Sequence, residues 1–132
     1  MAFEPTTVQV DATRNPSDGV AKSPYFREVD YINADNTGSI YEAASAAHPV
    51  LVQKVWHIVK TGFGASATVD VGDGSTADLW IANSAITENT AGNVAQSTIA
   101  GAWYTAPFEI RATLGGTRTG GTGKVLAQMI RF

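Results

Sequence analysis

The stretch Phe108-Glu-Ile-Arg-Ala-Thr-Leu114 alternates apolar and polar side chains without a break. Successive side chains of an extended strand point to opposite faces of a sheet, so this period of two places all four apolar residues on one face. The three polar residues between them then face solvent. The stretch therefore predicts a half-buried strand, which is the pattern typical of antiparallel sheets.

Further strand and turn patterns fill the chain from residue 50 onward. Val50–Lys60 is rich in β-branched residues, Ala67–Val71 alternates, and Lys124–Phe132 is a final apolar run. Glycine-rich turns separate the runs at intervals typical of sandwiches and barrels. A parallel sheet would require crossover helices, and no segment suits them. We therefore predict an all-β fold whose inner faces carry Val55, Val59, Val69, Val71, Leu79, Ile81, Phe108, Ile110 and Leu114.

Composition limits the size and class of the protein. The chain has 132 residues, a net charge of −3 and no cysteine. This length suits one domain, and the absence of cysteine excludes disulfides, a thiol nucleophile and thiolate metal sites. No cluster of Lys and Arg favours nucleic acid or an anionic membrane. We expect neither a membrane span, which takes roughly 18 apolar residues, nor a secretory signal.

The surface is expected to be weakly charged. Charged residues make up only 16% of the chain, below the roughly 25% of ordinary soluble domains. Small polar residues and glycine take their place, which suits extended strands and tight turns. Such a surface also suits a protein that other protein chains cover.

Residues 1–38 differ from the rest of the chain. They contain two short strand patterns, Thr6–Asp11 and Phe26–Ile32, separated by proline- and glycine-containing turns. We predict an N-terminal arm with the first strands over residues 1–38 and a β-sandwich domain over residues 39–132.

Two segments of the predicted sandwich lack a strand pattern. Ile40–Ala47 contains helix formers and is either one short helix or a loop. Pro49 ends it, because the residue before a proline avoids the helical conformation. Gly115–Gly123 is rich in glycine and threonine, and we predict that it forms a long flexible tip between two strands.

Glycine-rich segments invite comparison with nucleotide-binding loops. Gly62–Ala67 and Gly72–Ala77 fit the spacing G-x-G-x-x-A, but that motif requires a helix after the glycines. Strand-like residues follow here instead. The segment before Lys124 lacks the first glycine of a phosphate loop, and Val125 stands where Ser or Thr is needed. These segments therefore predict turns and no nucleotide cofactor.

Three aspartates, Asp70, Asp73 and Asp78, cluster around a Gly-Asp-Gly turn. Calcium takes several oxygen ligands from one loop, so the cluster is a candidate site. The EF-hand spacing is absent, because Ile81 stands at its closing acidic position. We expect a solvated turn with an Asx-type hydrogen bond, and calcium binding stays open.

Candidate catalytic groups are few. His48 precedes a proline, and His57 lies within a strand. Neither has a second histidine at metal-ligand spacing, and no Ser-His-Asp order can be singled out. We expect His57 to be a half-buried structural residue and the protein not to be an enzyme. A small β-fold hydrolase that uses His57 or Glu109 is the enzymatic alternative.

The aromatic residues leave two interpretations. Trp56, Trp80, Trp103 and Tyr104 could line a platform for a sugar. They could equally anchor a core or an interface, where tryptophan and tyrosine are enriched. We favour the core and interface interpretation.

The second half of the chain contains a distinctive succession of motifs. Its most specific piece is Val69-Asp-Val-Gly-Asp-Gly74, followed by Thr90-Ala-Gly92 and Tyr104-Thr-Ala106. Together with the alternating strand, the Gly-Thr-rich tip and the last apolar strand, it resembles capsid decoration (cement) proteins of tailed bacteriophages and related head or fibre modules. The resemblance implies a jelly-roll-like antiparallel β-sandwich, often trimeric, on the outside of the capsid. It also implies an N-terminal segment that reaches a neighbouring subunit.

We therefore predict a structural virion protein of the capsid surface that bridges capsid subunits. The expected partners are the major capsid protein and further copies in a homotrimer, with no cofactor, metal, nucleic acid or membrane. The predicted contact residues are apolar or aromatic residues of the arm: Val8, Val10, Tyr25, Phe26 and Tyr31. The alternative is a phage fibre or receptor-binding β-sandwich module that recognises surface glycans through exposed aromatic rings beside carboxylates.

Overall fold

The strands of this chain form where apolar side chains recur at every second residue, so that each strand can bury one face. The computed structural model describes residues 23–85 and 87–132. A short 3-10 helix, Asn83–Ala85, lies between the fourth and fifth strands. The predicted strand Thr6–Asp11 lies outside the described residues. Within them the strands are β1 (Tyr25–Ile32), β2 (Thr37–Glu42), β3 (Val50–Thr61), β4 (Ser66–Gly72), β5 (Val94–Gln96), β6 (Ala102–Tyr104), β7 (Phe108–Thr117) and β8 (Thr122–Arg131).

The strands are divided between two antiparallel sheets. The first sheet has the order β1-β8-β3-β5, with β6 also paired to β3, and the second has the order β2-β7-β4. A bridge between Val71 and Ile81 continues the second sheet beyond β4. Successive strands from β1 to β4 alternate between the sheets, and the first strand lies beside the last. This is the strand order of a jelly roll, so the predicted all-β, jelly-roll-like antiparallel sandwich is confirmed.

The core fills the space between the two sheets. It includes Phe63, Trp80 and Met129, all of which are buried. Seven of the nine residues predicted for the inner faces are buried, and Leu79 and Phe108 are half-buried and pack against the core. Alternating burial along β7 confirms the prediction made from its sequence.

A tyrosine on β1 closes the core beside β8. Tyr31 lies opposite Gly123 in the strand register. A Cβ atom on that glycine would lie 2.6 Å from the Tyr31 hydroxyl, so only glycine leaves room for the ring. The ring then stacks on Phe63, with 5.8 Å between the ring centroids.

Three expectations are corrected. β1 pairs with β8 and β2 with β7, so the sandwich includes residues before 39 and the predicted boundary at residue 38 falls inside β2. The predicted long tip is short, because the ladders of β7 and β8 extend to Thr117 and Thr122. The segment Ile40–Ala47, predicted as one short helix or a loop, begins with the last three residues of β2, and only its remainder is a loop.

Candidate interaction surface

The outer face of the first sheet is unusually apolar. Alternation along β3 and β8 buries one set of side chains, including Val55, His57 and Val125, and turns the other set outward. An irregularity in register between Val52 and Lys54 keeps this alternation in phase with the core. The outward set contains large apolar residues on four strands. We call the large apolar members of this set the apolar face, and they are Leu51, Trp56, Ile58, Val94, Trp103, Leu126 and Ile130; Lys54 and Gln128, which are paired in the register, lie between them on the same side of the sheet.

The register of the strands places these residues side by side. Leu126 lies opposite Trp56, and Ile58 on the same strand lies opposite Val94. Leu51 lies opposite Ile130 on one side. Side chains opposite each other in neighbouring strands lie about 5 Å apart, so these pairs form two apolar clusters on one surface.

The second cluster ends at the sheet edge with an exposed aromatic pair. Trp103 lies opposite Leu51 and contacts Phe132, with ring centroids 5.2 Å apart. Trp103 is 54% exposed, and Val94 at the edge of the first cluster is 55% exposed. Large apolar side chains are therefore available at the surface of both clusters.

The outer face of the second sheet provides an internal comparison. Its outward residues on β4, β7 and β2 are almost all polar or glycine. Antiparallel sheets commonly have one face on the core and a polar face in water, and the second sheet follows that pattern. The first sheet does not. The outward residues of the second sheet are Thr37, Ser39, Tyr41, Ser66, Thr68, Asp70, Glu109, Arg111, Thr113, Gly115 and Thr117.

Charged residues border the apolar face along β1. Lys124 donates a hydrogen bond of 2.7 Å to Glu28, and the Lys60 ammonium lies 3.5 Å from Asp30. Hydrogen bonding to Glu28 raises the pKa of Lys124. Exposed pairs of this kind contribute little to stability. Their position matters more than their energy, because protein interfaces commonly have an apolar centre surrounded by polar or charged residues.

The predicted contact residues occupy different environments. Val8 and Val10 lie outside the described residues. Phe26 points outward from β1 and is 56% exposed, so it is available for contact. Tyr25 is half-buried, and its hydroxyl donates a 2.7 Å hydrogen bond to Glu42. Burial and that carboxylate raise the pKa of Tyr25 to about 12.

Tyr31 does not belong to a contact surface. Its side chain is buried, and its hydroxyl is hydrogen-bonded to Nε2 of His57. Residues 26 and 31 are five positions apart in β1, so their side chains point to opposite faces of the sheet. The strand that exposes Phe26 therefore buries Tyr31. This residue is therefore removed from the predicted contacts.

Glu42 fixes the start of β1 against the end of β2. Its buried carboxylate forms ion pairs with Arg27 and with Arg131, the latter at 2.9 Å. The Tyr25 hydroxyl is a third partner. Burial of a carboxylate is costly unless cationic and hydrogen-bonding partners surround it in this way. The cluster holds Tyr25, and with it the entry of the chain into the sandwich, in one position.

The fold separates the two residues of the enzymatic alternative. His57 is fully buried between the sheets, and not half-buried as predicted. Burial lowers the pKa of His57 to about 4. Glu109 lies on the outer face of the second sheet, where it pairs with Arg111. Burial opposes its charge, but hydrogen bonds from Arg111 and its neighbours lower the pKa of Glu109 below its usual range. One sheet therefore lies between the two groups.

The aspartates of the Gly-Asp-Gly turn act within the chain. Oδ1 of Asp73 accepts hydrogen bonds from the backbone N–H groups of Ser75 and Thr76, which is the expected Asx-type turn. Oδ1 of Asp70 accepts two hydrogen bonds from Asn83. Within residues 23–85 and 87–132, no group of three or more His, Asp or Glu side chains is arranged to hold a metal ion. The described residues likewise include no helix long and apolar enough to cross a membrane.

A cleft of about 640 Å³ opens at one end of the second sheet. Phe108, in its wall, stacks on Tyr104 with ring centroids 3.9 Å apart. Burial, with a smaller contribution from Asp73, raises the pKa of Tyr104 to about 12. Tyr41 projects beside the cleft and is 69% exposed. The lining residues are Tyr41, Glu42, Ala43, Asp73, Gly74, Ser75, Pro107, Phe108 and Glu109.

The apolar face was missed by the sequence interpretation, although a signal for it exists. In β3 and β8, apolar residues stand at both odd and even positions, as in Val55-Trp56-His57-Ile58-Val59. A strand buried on one side only should alternate, so this composition indicates that both sides are covered.

Comparison with known proteins identifies the fold. No protein-family model matches the chain, and no curated protein matches it. A chain of the acidic stable capsid structure of Helicobacter pylori bacteriophage KHP30 has a TM-score of 0.63 and 14% identity, and the match covers 85% of this chain and 90% of that one. A chain of the cyanophage Pam1 capsid asymmetric unit has a TM-score of 0.57 and 14% identity, with 96% of both chains covered. This chain therefore shares its fold with chains of two phage capsid structures.

Proposed function

We propose that this chain is a structural virion protein, and more specifically a decoration protein on the outside of a tailed-phage head. The observation that carries the proposal is the near-complete match of the sandwich to chains in two separate phage capsid structures, since 85% and 96% of this chain are covered. Neither match is confined to a common β-motif. A fold alone does not fix a function, so surface chemistry must agree with the proposal.

The surface chemistry of the first sheet supports contact with other proteins. The apolar face carries two outward tryptophans and is bordered by charges. A protein that clamps a particle requires extended contact of this kind more than a polar pocket. Contacts that form only in the assembled shell stabilise that shell by mass action.

The proposed partners are the major capsid protein and further copies of the chain in a homotrimer. The proposed contacts are Val8, Val10, Tyr25 and Phe26. The position of Tyr25 and Phe26 in the fold supports this assignment. Both lie in β1, an edge strand of the first sheet, and Phe26 points outward from it. Edge strands present unpaired backbone groups that a neighbouring chain can use. The N-terminal residues that precede β1 would extend this contact across neighbouring capsid subunits.

The direct test is addition of the purified protein to phage heads that lack it. We expect the protein to sediment with the heads and to raise the temperature at which they release DNA. Phe26→Asp should weaken binding by about 10-fold or more, as expected when an interface aromatic residue is lost. Thr37→Asp, on the polar outer face of the second sheet, is the matched control and should bind as the unchanged chain does. Absence of the unchanged chain from the head fraction would overturn the proposal.

A second candidate function is glycan recognition by a fibre or receptor-binding module. The cleft favours it, because Tyr41 is exposed beside the carboxylates of Glu42 and Glu109. Sugars bind aromatic faces flanked by polar groups. Both carboxylates are, however, already paired with arginines of the same chain. Titration with polysaccharide from the host cell surface tests this function, and a heat of binding that Tyr41→Ala abolishes would establish it in place of decoration.

A further inference from the structure

Lys54 lies between the two clusters of the apolar face. It stands between Leu51 and Trp56 along β3, and it pairs in the register with Gln128 on β8. The alternation that buries Val55 turns Lys54 to the same side of the sheet as both clusters. The outer face of the first sheet is therefore apolar at two places and polar between them.

Lys54 has no carboxylate partner within the part of the chain that the structure describes. The other two lysines there, Lys60 and Lys124, each pair with a carboxylate on β1. Lys54 is half-buried, so a protein that covers the two clusters would also remove its ammonium group from water. Burial of a charge is costly unless an opposite charge accompanies it. A partner that covers this face must therefore bring a negative charge to Lys54.

The spacing of the two clusters defines the partner further. Leu126 and Ile130 belong to different clusters and are four residues apart on β8, with Gln128 midway between them. At about 3.4 Å per residue, the two apolar side chains are about 14 Å apart. The first, third and fifth residues of a partner strand share one face and have the same spacing. A strand with the pattern apolar-x-acidic-x-apolar therefore matches both clusters and the lysine between them.

We propose that the outer face of the first sheet binds a strand of the major capsid protein that presents an acidic residue between two apolar residues. The carboxylate accepts hydrogen bonds from Nζ of Lys54 and from the side-chain amide of Gln128. One apolar side chain packs on Trp56 and the other on Trp103. This inference rests on the proposed function, and it names the surface and the chemistry by which the chain recognises the capsid.

The proposed contact on β1 belongs to the same surface. Phe26 lies opposite Gln128 in the register and points outward. The row of Phe26, Gln128 and Lys54 therefore runs from the edge of the sheet to the middle of this face. Because β1 and β3 are two strand spacings apart, about 10 Å, a partner seated on Lys54 also reaches Phe26.

The first test is carbodiimide crosslinking of the full-length chain on phage heads that lack it, followed by mass spectrometry of the joined peptides. The reagent activates a carboxylate, which then forms an amide bond with the amine of a lysine in contact with it. We expect such a bond between Lys54 and an Asp or Glu of the capsid protein that has apolar residues two positions before and after it. Lys54→Arg is the matched control. It keeps the positive charge and should bind heads, but this crosslink should disappear because the guanidinium does not react.

The second test measures binding of variants to the same heads by sedimentation. Lys54→Glu should weaken binding by at least about 10-fold, because two carboxylates would then face each other inside the contact. Thr37→Glu is the control, since it adds a negative charge to the polar outer face of the second sheet, and it should bind as the unchanged chain does. Circular dichroism should show both variants folded.

The outcomes separate this inference from the proposed function. If the chain binds heads but Lys54 forms no crosslink, or Lys54→Glu binds as tightly, decoration stands and this inference is wrong. A crosslink from Lys54 to a capsid acid without the two apolar neighbours would also refute it. So would a crosslink to a carboxylate of this chain, in the N-terminal segment or in a second copy, because the chain itself would then cover the face. If the unchanged chain does not bind heads, decoration is refuted and this inference is refuted with it.

Discussion

Two buried groups, His57 and Glu88, should give this protein an unusual pH dependence of stability. His57 is fully buried, and Glu88 is 5% exposed. Among the described residues, neither Nδ1 of His57 nor Oε2 of Glu88 finds a hydrogen-bond partner. Burial lowers the pKa of His57 from 6.5 to about 4 and raises the pKa of Glu88 from 4.5 to about 7. Both groups are therefore neutral inside the sandwich near pH 6.

The two groups change the free energy of unfolding in opposite directions. As the pH falls from 6.5 to 4, the unfolded chain protonates His57 and the folded chain does not, so about 3 kcal/mol of stability is lost. As the pH falls from 7 to 4.5, the folded chain protonates Glu88 and the unfolded chain does not, so about 3 kcal/mol is gained. The two changes cancel over most of this range.

Single substitutions should reveal each contribution. Glu88→Gln removes the carboxyl titration and keeps the shape of the side chain. The difference in free energy of unfolding between this variant and the unchanged chain should therefore be about 3 kcal/mol more favourable to the variant at pH 7 than at pH 4.5. His57→Gln should change in the opposite sense, with the gain at low pH. Urea unfolding at several pH values measures both, and His48→Gln, which replaces an exposed histidine, is the control.

Two results would refute this reasoning. A Glu88→Gln variant whose stability differs from that of the unchanged chain by the same amount at pH 4.5 and pH 7 would show that Glu88 titrates normally. A His57→Gln variant that behaves in the same way would show that burial does not suppress protonation of the imidazole.

Three further predictions concern stability and are measured by urea unfolding. Phe63→Ala should cost about 3–5 kcal/mol, because it empties the centre of the core, and a loss below 1 kcal/mol would contradict the packing described. Gly116→Ala should lower the free energy of unfolding more than Gly92→Ala does. Both glycines have positive φ, but of the two only Gly116 would place the added Cβ against a backbone oxygen, that of Ser66, at 2.0 Å. Equal losses of stability in the two variants would argue against that contact. Glu42→Gln should cost about 1–3 kcal/mol, because its arginine partners lose the buried charge, and an unchanged midpoint would show that the cluster contributes nothing.

The sequence predicted best where one strand face meets the core and the other meets water. β7 is such a strand, and its alternation identified both the strand and its inner residues. In β3 and β8 apolar residues stand on both faces, so the pattern alone could not separate the core from the apolar face. That separation depends on pairing with distant strands.

Long-range pairing also explains the errors near the N-terminus. β1 joins the sheet through β8, which lies about a hundred residues later in the chain, so local composition predicted the strand Phe26–Ile32 but assigned it to an arm and not to the sandwich. Apolar character marked both Phe26 and Tyr31 as contacts. Phe26 and Tyr31 point to opposite faces of β1, and Gly123 leaves space for the Tyr31 ring in the core. These two facts decide that Phe26 is exposed and Tyr31 is buried.

The measurement that tests the proposed role most directly is a cryo-electron microscopy reconstruction of phage particles to which the purified chain has been added. The account predicts density on the outside of the capsid that fits the two-sheet sandwich of residues 23–132, in contact with the major capsid protein. Density for the sandwich at the tail or fibres, or a capsid exterior without it, would contradict a role in decoration.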